Sequence, residues 1–191
     1  MSDLPPVTFT HIGIKVTDLE KMAAFYQRVF GFLLSDRGYL DMDGDKIELA
    51  FLTRDPKIHH QIVLLRARPP EVTFSTVDQI SLQVDGLPAV RKYWEALQNE
   101  KEVSGLRALT HGNAWSLYMF DPEGNRIELY CDTPWHTRQP IRGPLDFSLT
   151  DEEIYAATKK LVDEAPDTMP IEQWWQSVAD RLGFTEWRAD N

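Results

Sequence analysis

Apolar and polar positions alternate near the start of the chain. Ile12, Ile14 and Val16 fall on one face of an extended segment, and His11, Gly13 and Lys15 fall on the other. This pattern predicts a strand over Thr8 to Val16. Asp18 then offers a helix N-cap, with Glu20 in the first turn. Met22, Phe25, Tyr26 and Val29 follow at helical spacing, and Gly31 is placed to end the helix in the left-handed region.

The same order returns further on. Gln79, Ser81 and Gln83 alternate with Ile80, Leu82 and Val84. Asp85-Gly86-Leu87-Pro88 then leads into a helix whose apolar stripe is Val90, Tyr93, Trp94 and Leu97. His11 and Gln79 stand 68 residues apart, as do Phe25 and Tyr93. A long-period recurrence of strand and helix implies two copies of one supersecondary unit. Strand-like segments complete each copy: Leu33 to Asp36, Lys46 to Leu52 and Gln61 to Arg66 in the first, and Glu102 to Leu106, Ala114 to Phe120 and Arg126 to Cys131 in the second. The turn Asp121-Pro122-Glu123-Gly124-Asn125 joins the last two. The expected fold class is α+β: two βαβββ modules, about 7–67 and 76–131, whose sheet curls around a shared interior with the helices outside. Gly38 to Asp45 and Thr110 to Trp115 are expected as loops that shape a pocket.

The repeat stops after Cys131. A proline-rich stretch to Pro144 precedes a capping box, Thr150-Asp151-Glu152-Glu153, and a helix to about Asp163. Pro170 opens another helix, ending near Gly183, with Ile171, Trp174, Trp175, Val178 and Leu182 on its apolar face. Residues 132–191 form a helical extension that packs on the core or on a partner subunit. That apolar face points to a homodimer or higher homo-oligomer.

Composition narrows the class. Apolar residues make up 42% of the 191, including six Trp and nine Phe, enough for a packed core. Thirty acidic against 20 basic residues give a net charge of −10, which disfavours nucleic acid and anionic membrane as partners. No run approaches the ~20 apolar residues of a membrane span, and the opening residues lack a signal-peptide pattern. The expected location is cytoplasmic. The single Cys131 excludes an internal disulfide and a cysteine-rich zinc site, and reads as a small buried hydrophobe.

The opening, His11-Ile12-Gly13-Ile14 with Thr17-Asp18-Leu19-Glu20-Lys21 and Phe25 to Phe32, resembles the start of a vicinal oxygen chelate module. The ending, Asp121-Pro122-Glu123-Gly124-Asn125-Arg126-Ile127-Glu128-Leu129, resembles the last hairpin of such a module. The resemblance covers residues 7–131 and leaves the extension outside. That superfamily holds glyoxalase I, type I extradiol ring-cleaving dioxygenases, fosfomycin-resistance enzymes and bleomycin-binding proteins, so the fold alone does not choose a chemistry. Carried onto this chain, the extradiol ligand positions are His11, Gln79 and Glu128, with Gln79 where a second His is usual. The pair His59-His60 resembles the extradiol histidine motif, whose second member is the acid–base catalyst. Tyr118, ten residues before Glu128, has the spacing of the active-site tyrosine, and His111 resembles the pocket histidine. The segment Asp132-Thr133-Pro134-Trp135 resembles that of small one-domain proteins assigned as biphenyl-diol dioxygenases.

The resemblance implies an Fe(II) extradiol dioxygenase taking O2 and a small aromatic diol, in some cases aryl-substituted, with His60, His111 and Tyr118 as catalytic residues. A carboxamide is a harder, weaker donor than imidazole, which widens the metal choice to Mn, Ni, Co or Zn. It also keeps a second reading open, a metal-dependent lyase or isomerase of the glyoxalase type. A third is a binding protein without catalysis, as in bleomycin resistance. Plainer roles stand beside these: Arg126 is a rival ion-pair partner for Glu128, Gln79 is placed for a cross-sheet hydrogen bond, and His59 and His60 fit a surface turn after Asp55-Pro56-Lys57. Strict alternation would put His60 with Ile62 and Leu64, away from a pocket.

Overall fold

The computed structural model describes residues 5–184. The elements run β1 (Ile12–Val16), α1 (Leu19–Phe30), β2 (Leu33–Met42), β3 (Asp45–Thr53), β4 (Ile62–Arg66), β5 (Ile80–Gln83), α2 (Gly86–Leu97), β6 (Ser104–Thr110), β7 (Ala114–Phe120), β8 (Arg126–Asp132), β9 (Trp135–His136), β10 (Gly143–Pro144), α3 (Asp151–Asp163), β11 (Met169–Pro170) and α4 (Ile171–Leu182). The predicted βαβββ order therefore appears twice. The chain forms two compact units. One runs to Thr76 and takes in Asp121–Asn125, and the other holds Val77–Phe120 and the chain from Arg126 onward.

The first unit carries a sheet of order β1-β4-β3-β2, with β1 parallel to β4 and the other pairs antiparallel. Asp18 caps α1 by accepting from the Lys21 amide at 3.0 Å, and Gly31 ends it at φ 67°. The helix buries Leu19, Met22, Phe25, Tyr26 and Phe30, and the strands bury Ile14, Val16, Ala50, Leu52, Ile62 and Leu64. The Asp-Pro-Glu-Gly-Asn turn has a clear structural purpose here. Glu123 sets its carboxylate against the backbone amides of Thr17 and Asp18, just ahead of α1, at 2.7–2.9 Å. Negative charge is favoured at that end of a helix. Arg68 pairs with the same carboxylate at 3.3 Å. Asp121 accepts from the Glu123 and Asn125 amides, the Asn125 side chain and the Tyr26 hydroxyl.

The expected loop from Gly38 to Asp45 is instead mostly strand. β2 and β3 pair without interruption from Asp36/Phe51 to Met42/Asp45. Asp43 and Gly44 turn the hairpin at φ 55° and 92°. Asp-Gly is the strong signal for such a two-residue turn, because both positions need positive φ.

In the second unit the order is β10-β6-β7-β8-β5, with β5 parallel to β8. β7 lies where the sequence places it, whereas β6 starts and ends later than the expected Glu102 to Leu106. A bulge between Ser104 and Arg107 explains the shift: Gly105 sits at φ 64°, where a Cβ would come 2.8 Å from the Phe120 ring. The offset sets Arg107 directly across from Tyr118. One sheet face buries Trp115, Leu117, Met119, Ile127, Leu129 and Cys131, and α2 contributes Leu87, Val90 and Leu97.

The C-terminal extension is built into this second unit. Gly143–Pro144 add to the free edge of β6, and Thr150 and Glu153 cap α3 reciprocally. Arg91 of α2 ties the segment before α3 with bonds of 2.8 Å to the Phe147 and Leu149 carbonyls, and it pairs with Asp151 at 2.6 Å. Trp94 stacks on Phe147, and His136 stacks on Trp174 at 4.5 Å. Among the described residues, no helix is long and apolar enough to cross a membrane.

Cys131 is buried as expected, and burial, followed by the Asp132 charge, pushes its thiol up to about 12. Only the thiolate reacts, so at pH 8 the native thiol is both shielded and protonated. We expect the native chain to exclude a disulfide reagent such as DTNB and the urea-unfolded chain to take up one equivalent. Fast stoichiometric labelling of the native protein would contradict this burial.

Candidate metal and substrate site

The second unit gathers Gln79, Tyr118, His111 and Glu128 on one face of its sheet. Register accounts for the gathering. Ser81, Tyr118 and Glu128 are neighbours across β5, β8 and β7. Arg107, Leu109 and His111 follow at every second position along β6 and just beyond it.

Glu128 is the centre of this cluster and is 8% exposed. Its Oε1 accepts from the Tyr118 hydroxyl at 2.6 Å. Its Oε2 accepts from Gln79 Nε2 at 2.7 Å and from the Ser81 hydroxyl at 2.6 Å. Three donors make this burial of a carboxylate tolerable. Arg126, the rival ion-pair partner, turns to Asp78 instead and lies 5.7 Å from the centre of the Tyr118 ring. Gln79 does make the cross-sheet bond open to it.

His111 extends the chain of bonds. Its Nδ1 lies 2.8 Å from the Ile141 carbonyl, which only accepts, so Nδ1 is the protonated nitrogen. Its Nε2 lies 2.9 Å from the Tyr118 oxygen. Two hydrogen bonds thus flank that oxygen, and the phenol supplies one hydrogen. That hydrogen goes to Glu128 Oε1, so the Tyr118 oxygen links His111 to Glu128. Burial first, then the bond to Glu128, holds the Tyr118 phenol well above its usual range, while Arg126 works the other way. Tyr118 is therefore a protonated hydrogen-bond donor at neutral pH.

A cavity of about 160 Å³ opens on this face, lined by Gln79, Arg107, Leu109, His111, Tyr118, Arg126 and Arg142. Sequence reasoning missed Arg107 and Arg142 as lining residues and Ser81 as a partner of Glu128. The alternation Arg107, Leu109, His111 could have revealed the first. Ser81 shares the nominal face of Gln79 and was equally legible. Arg142 arrives from the extension, where no periodicity marks it.

The remaining candidates lie in the first unit. His11 precedes β1, is exposed, and places Nδ1 2.9 Å from the Thr10 hydroxyl. The His60 ring packs edge-on to His11 with centroids 4.5 Å apart, and His59 Nδ1 lies 2.8 Å from His60 Nδ1. Alternation misplaces His60 because β4 begins only at Ile62, leaving the two histidines on an irregular turn. Burial, then the charges of His11 and His59, lowers the His60 pKa, which favours the neutral ring. His59 is the more open of the two and lies 3.8 Å from Asp36.

Among the described residues, no three His, Cys, Asp or Glu side chains form a metal-holding group. A metal set here would therefore have to include the Gln79 amide. The local chemistry fits that role: Gln79 and Glu128 touch end to end, giving adjacent neutral and anionic oxygen donors once the amide turns its oxygen inward. His11 belongs to the first unit, where its Nδ1 is engaged by the Thr10 hydroxyl.

The sequence model of the Glyoxalase/Bleomycin resistance protein/Dioxygenase superfamily matches residues 8–129. A catechol-2,3-dioxygenase from Bacillus subtilis (strain 168) is 30% identical over 172 residues, 84% of this chain and 55% of that protein. The chain thus spans about half the length of that curated relative. Among solved structures, a glyoxalase family protein from Bacillus cereus is 16% identical with a TM-score of 0.52, covering 69% of this chain and 98% of that one. The fosfomycin resistance protein FosX from Listeria monocytogenes, in a monoclinic form, is 21% identical with a TM-score of 0.52, covering 68% and 96%. These two structures share the fold. The repeated βαβββ unit, the match across both copies and the dioxygenase relative agree, and the chain belongs to the glyoxalase/bleomycin resistance/dioxygenase superfamily, the vicinal oxygen chelate proteins.

Proposed function

We propose that the protein is an extradiol dioxygenase that opens the ring of a catechol beside its two hydroxyl-bearing carbons, with Fe(II) held by His11, Gln79 and Glu128. The observation that carries the reading is the bonded chain from His111 through Tyr118 to Glu128, in a protein 30% identical to a catechol-2,3-dioxygenase. Ferrous iron, when bound, supplies a site for two vicinal oxygens and the electron transfer that dioxygen needs. The protein's own residues handle protons and orientation. His60 would take a proton from the catechol and hold it for return to the product, a role suited to an imidazole. Tyr118 keeps its proton and, turning it from Glu128, would donate it as a hydrogen bond to substrate oxygen, while His111 holds the phenol oxygen. Both atoms of O2 enter the product, so no further reductant is needed.

Anaerobic loading with Fe(II), followed by a panel of catechols in an oxygen electrode, tests the proposal. The expected result is one O2 consumed per catechol and a yellow ring-opened product, with the Zn-loaded protein inert. Iron-loaded protein that consumes no oxygen with any catechol overturns it. The Gln79 carboxamide motivates a second reading, a metal-dependent lyase or isomerase. Turnover of a non-oxidative substrate by the Zn form would favour that one.

A further inference from the structure

The cavity described above is lined by three arginines, Arg107, Arg126 and Arg142, and by no acidic side chain. That is unexpected in a chain of net charge −10, which repels anions on average. Arg126 is offset by Asp78, although its Nε is buried with no hydrogen-bond partner among the described residues. Arg107 and Arg142 have no ion pair among the described residues. Their convergence is built by the fold. The Gly105 bulge sets Arg107 opposite Tyr118, and β10 pairing with β6 brings in Arg142, the residue before Gly143. A guanidinium stays charged at any ordinary pH; Arg107 and Arg142 are solvent-exposed, so water screens their repulsion in part, and an anion seated between them would relieve the rest.

We infer that the substrate carries an oxyanion group, a carboxylate or phosphonate, seated on Arg107 and Arg142, while its reacting part faces Tyr118 and Gln79. Guanidinium forks match such groups with two parallel hydrogen bonds. Arg126 adds charge and an unpartnered donor. A cavity of about 160 Å³ has room for the oxyanion end of a substrate: at roughly 30 Å³ per water the space equals about five waters, so an attached aromatic ring would extend beyond it. This deepens the proposed function and rests on it for the reacting end, but the binding of the anion requires neither metal nor oxygen.

The test therefore separates the two. Calorimetry on the full chain in low-salt buffer compares phenylacetate and phenylphosphonate with the neutral isostere phenylacetamide; none has vicinal hydroxyls. The anions are expected to bind at least about 10-fold tighter than the amide. Arg107→Met and Arg142→Met should each shrink that preference about 10- to 100-fold, as losing a charge-assisted pair does. Arg107→Lys should keep part of it, because the charge remains without the fork. The tighter-binding probe names the oxyanion. Equal binding of anion and amide, or a preference that survives in both Met variants, overturns the inference. Arginine-dependent anion binding in a protein that consumes no oxygen would leave the inference standing and sink only the dioxygenase reading.

Discussion

Glu128→Gln is expected to abolish metal retention and to lower ring-cleaving turnover by more than about 100-fold. Disturbing a residue that merely orients a metal ligand costs roughly 10- to 100-fold, and Glu128 is the only anion in the proposed set. The substitution is chosen because the fold should survive it. Glu128 accepts from Tyr118 on one oxygen and from Gln79 and Ser81 on the other. A glutamine keeps an acceptor for Tyr118. Its new amide N–H2 can donate to Ser81, whose hydroxyl rotates to accept, and to Gln79, whose amide can flip. The network closes with altered polarity, at about 1 kcal/mol of stability. Metal analysis after anaerobic loading, oxygen uptake and a thermal melt read the three quantities separately. A variant that binds one equivalent of iron and turns over normally would reduce Glu128 to a structural acceptor and remove the basis of the proposed centre.

The fold was legible because its signals are local and repeat. Asp18 and Gly31 bound α1, Thr150 and Glu153 cap α3, and alternation marks β7 within one residue register. What stayed hidden depends on tertiary placement. Alternation says nothing about a side chain outside a strand, so the orientation of His60 could not be derived. The β6 bulge hinges on Gly105 meeting Phe120, a contact 15 residues apart that no period announces. For Glu128 the sequence offered Arg126 or a metal, and that Tyr118 and Ser81 both lie directly across from it emerged only from the β7–β8 and β5–β8 registers. Arg142 is the clearest limit. Its importance comes from where β10 joins the sheet, not from any pattern around it.

That joining makes the extension part of the second unit, and Trp115→Ala should expose the dependence. Trp115 is 1% exposed on β7, donates its indole N–H to Thr158 of α3 at 2.8 Å, and meets the Tyr155 ring at 4.7 Å. Truncating a buried tryptophan costs about 3–5 kcal/mol through lost transfer energy and the cavity left behind. The Thr158 hydroxyl, itself buried, loses its partner, a further ~1 kcal/mol unless it turns to a carbonyl of its own helix. Against a typical domain stability of 5–15 kcal/mol this is a large fraction. Trp115→Phe separates the terms, keeping a ring against Tyr155 and losing only the donor, for an expected cost of about 1–2 kcal/mol. Urea titration measures both variants, and limited proteolysis shows where the chain opens. Cleavage should concentrate between Thr137 and Asp163 in Trp115→Ala, at urea concentrations where the wild type resists. Because Arg142 enters the cavity from this same segment, the anion preference should fall together with the docking of α3. A Trp115→Ala loss below about 1 kcal/mol would mean that the extension rests on the sheet without supporting it.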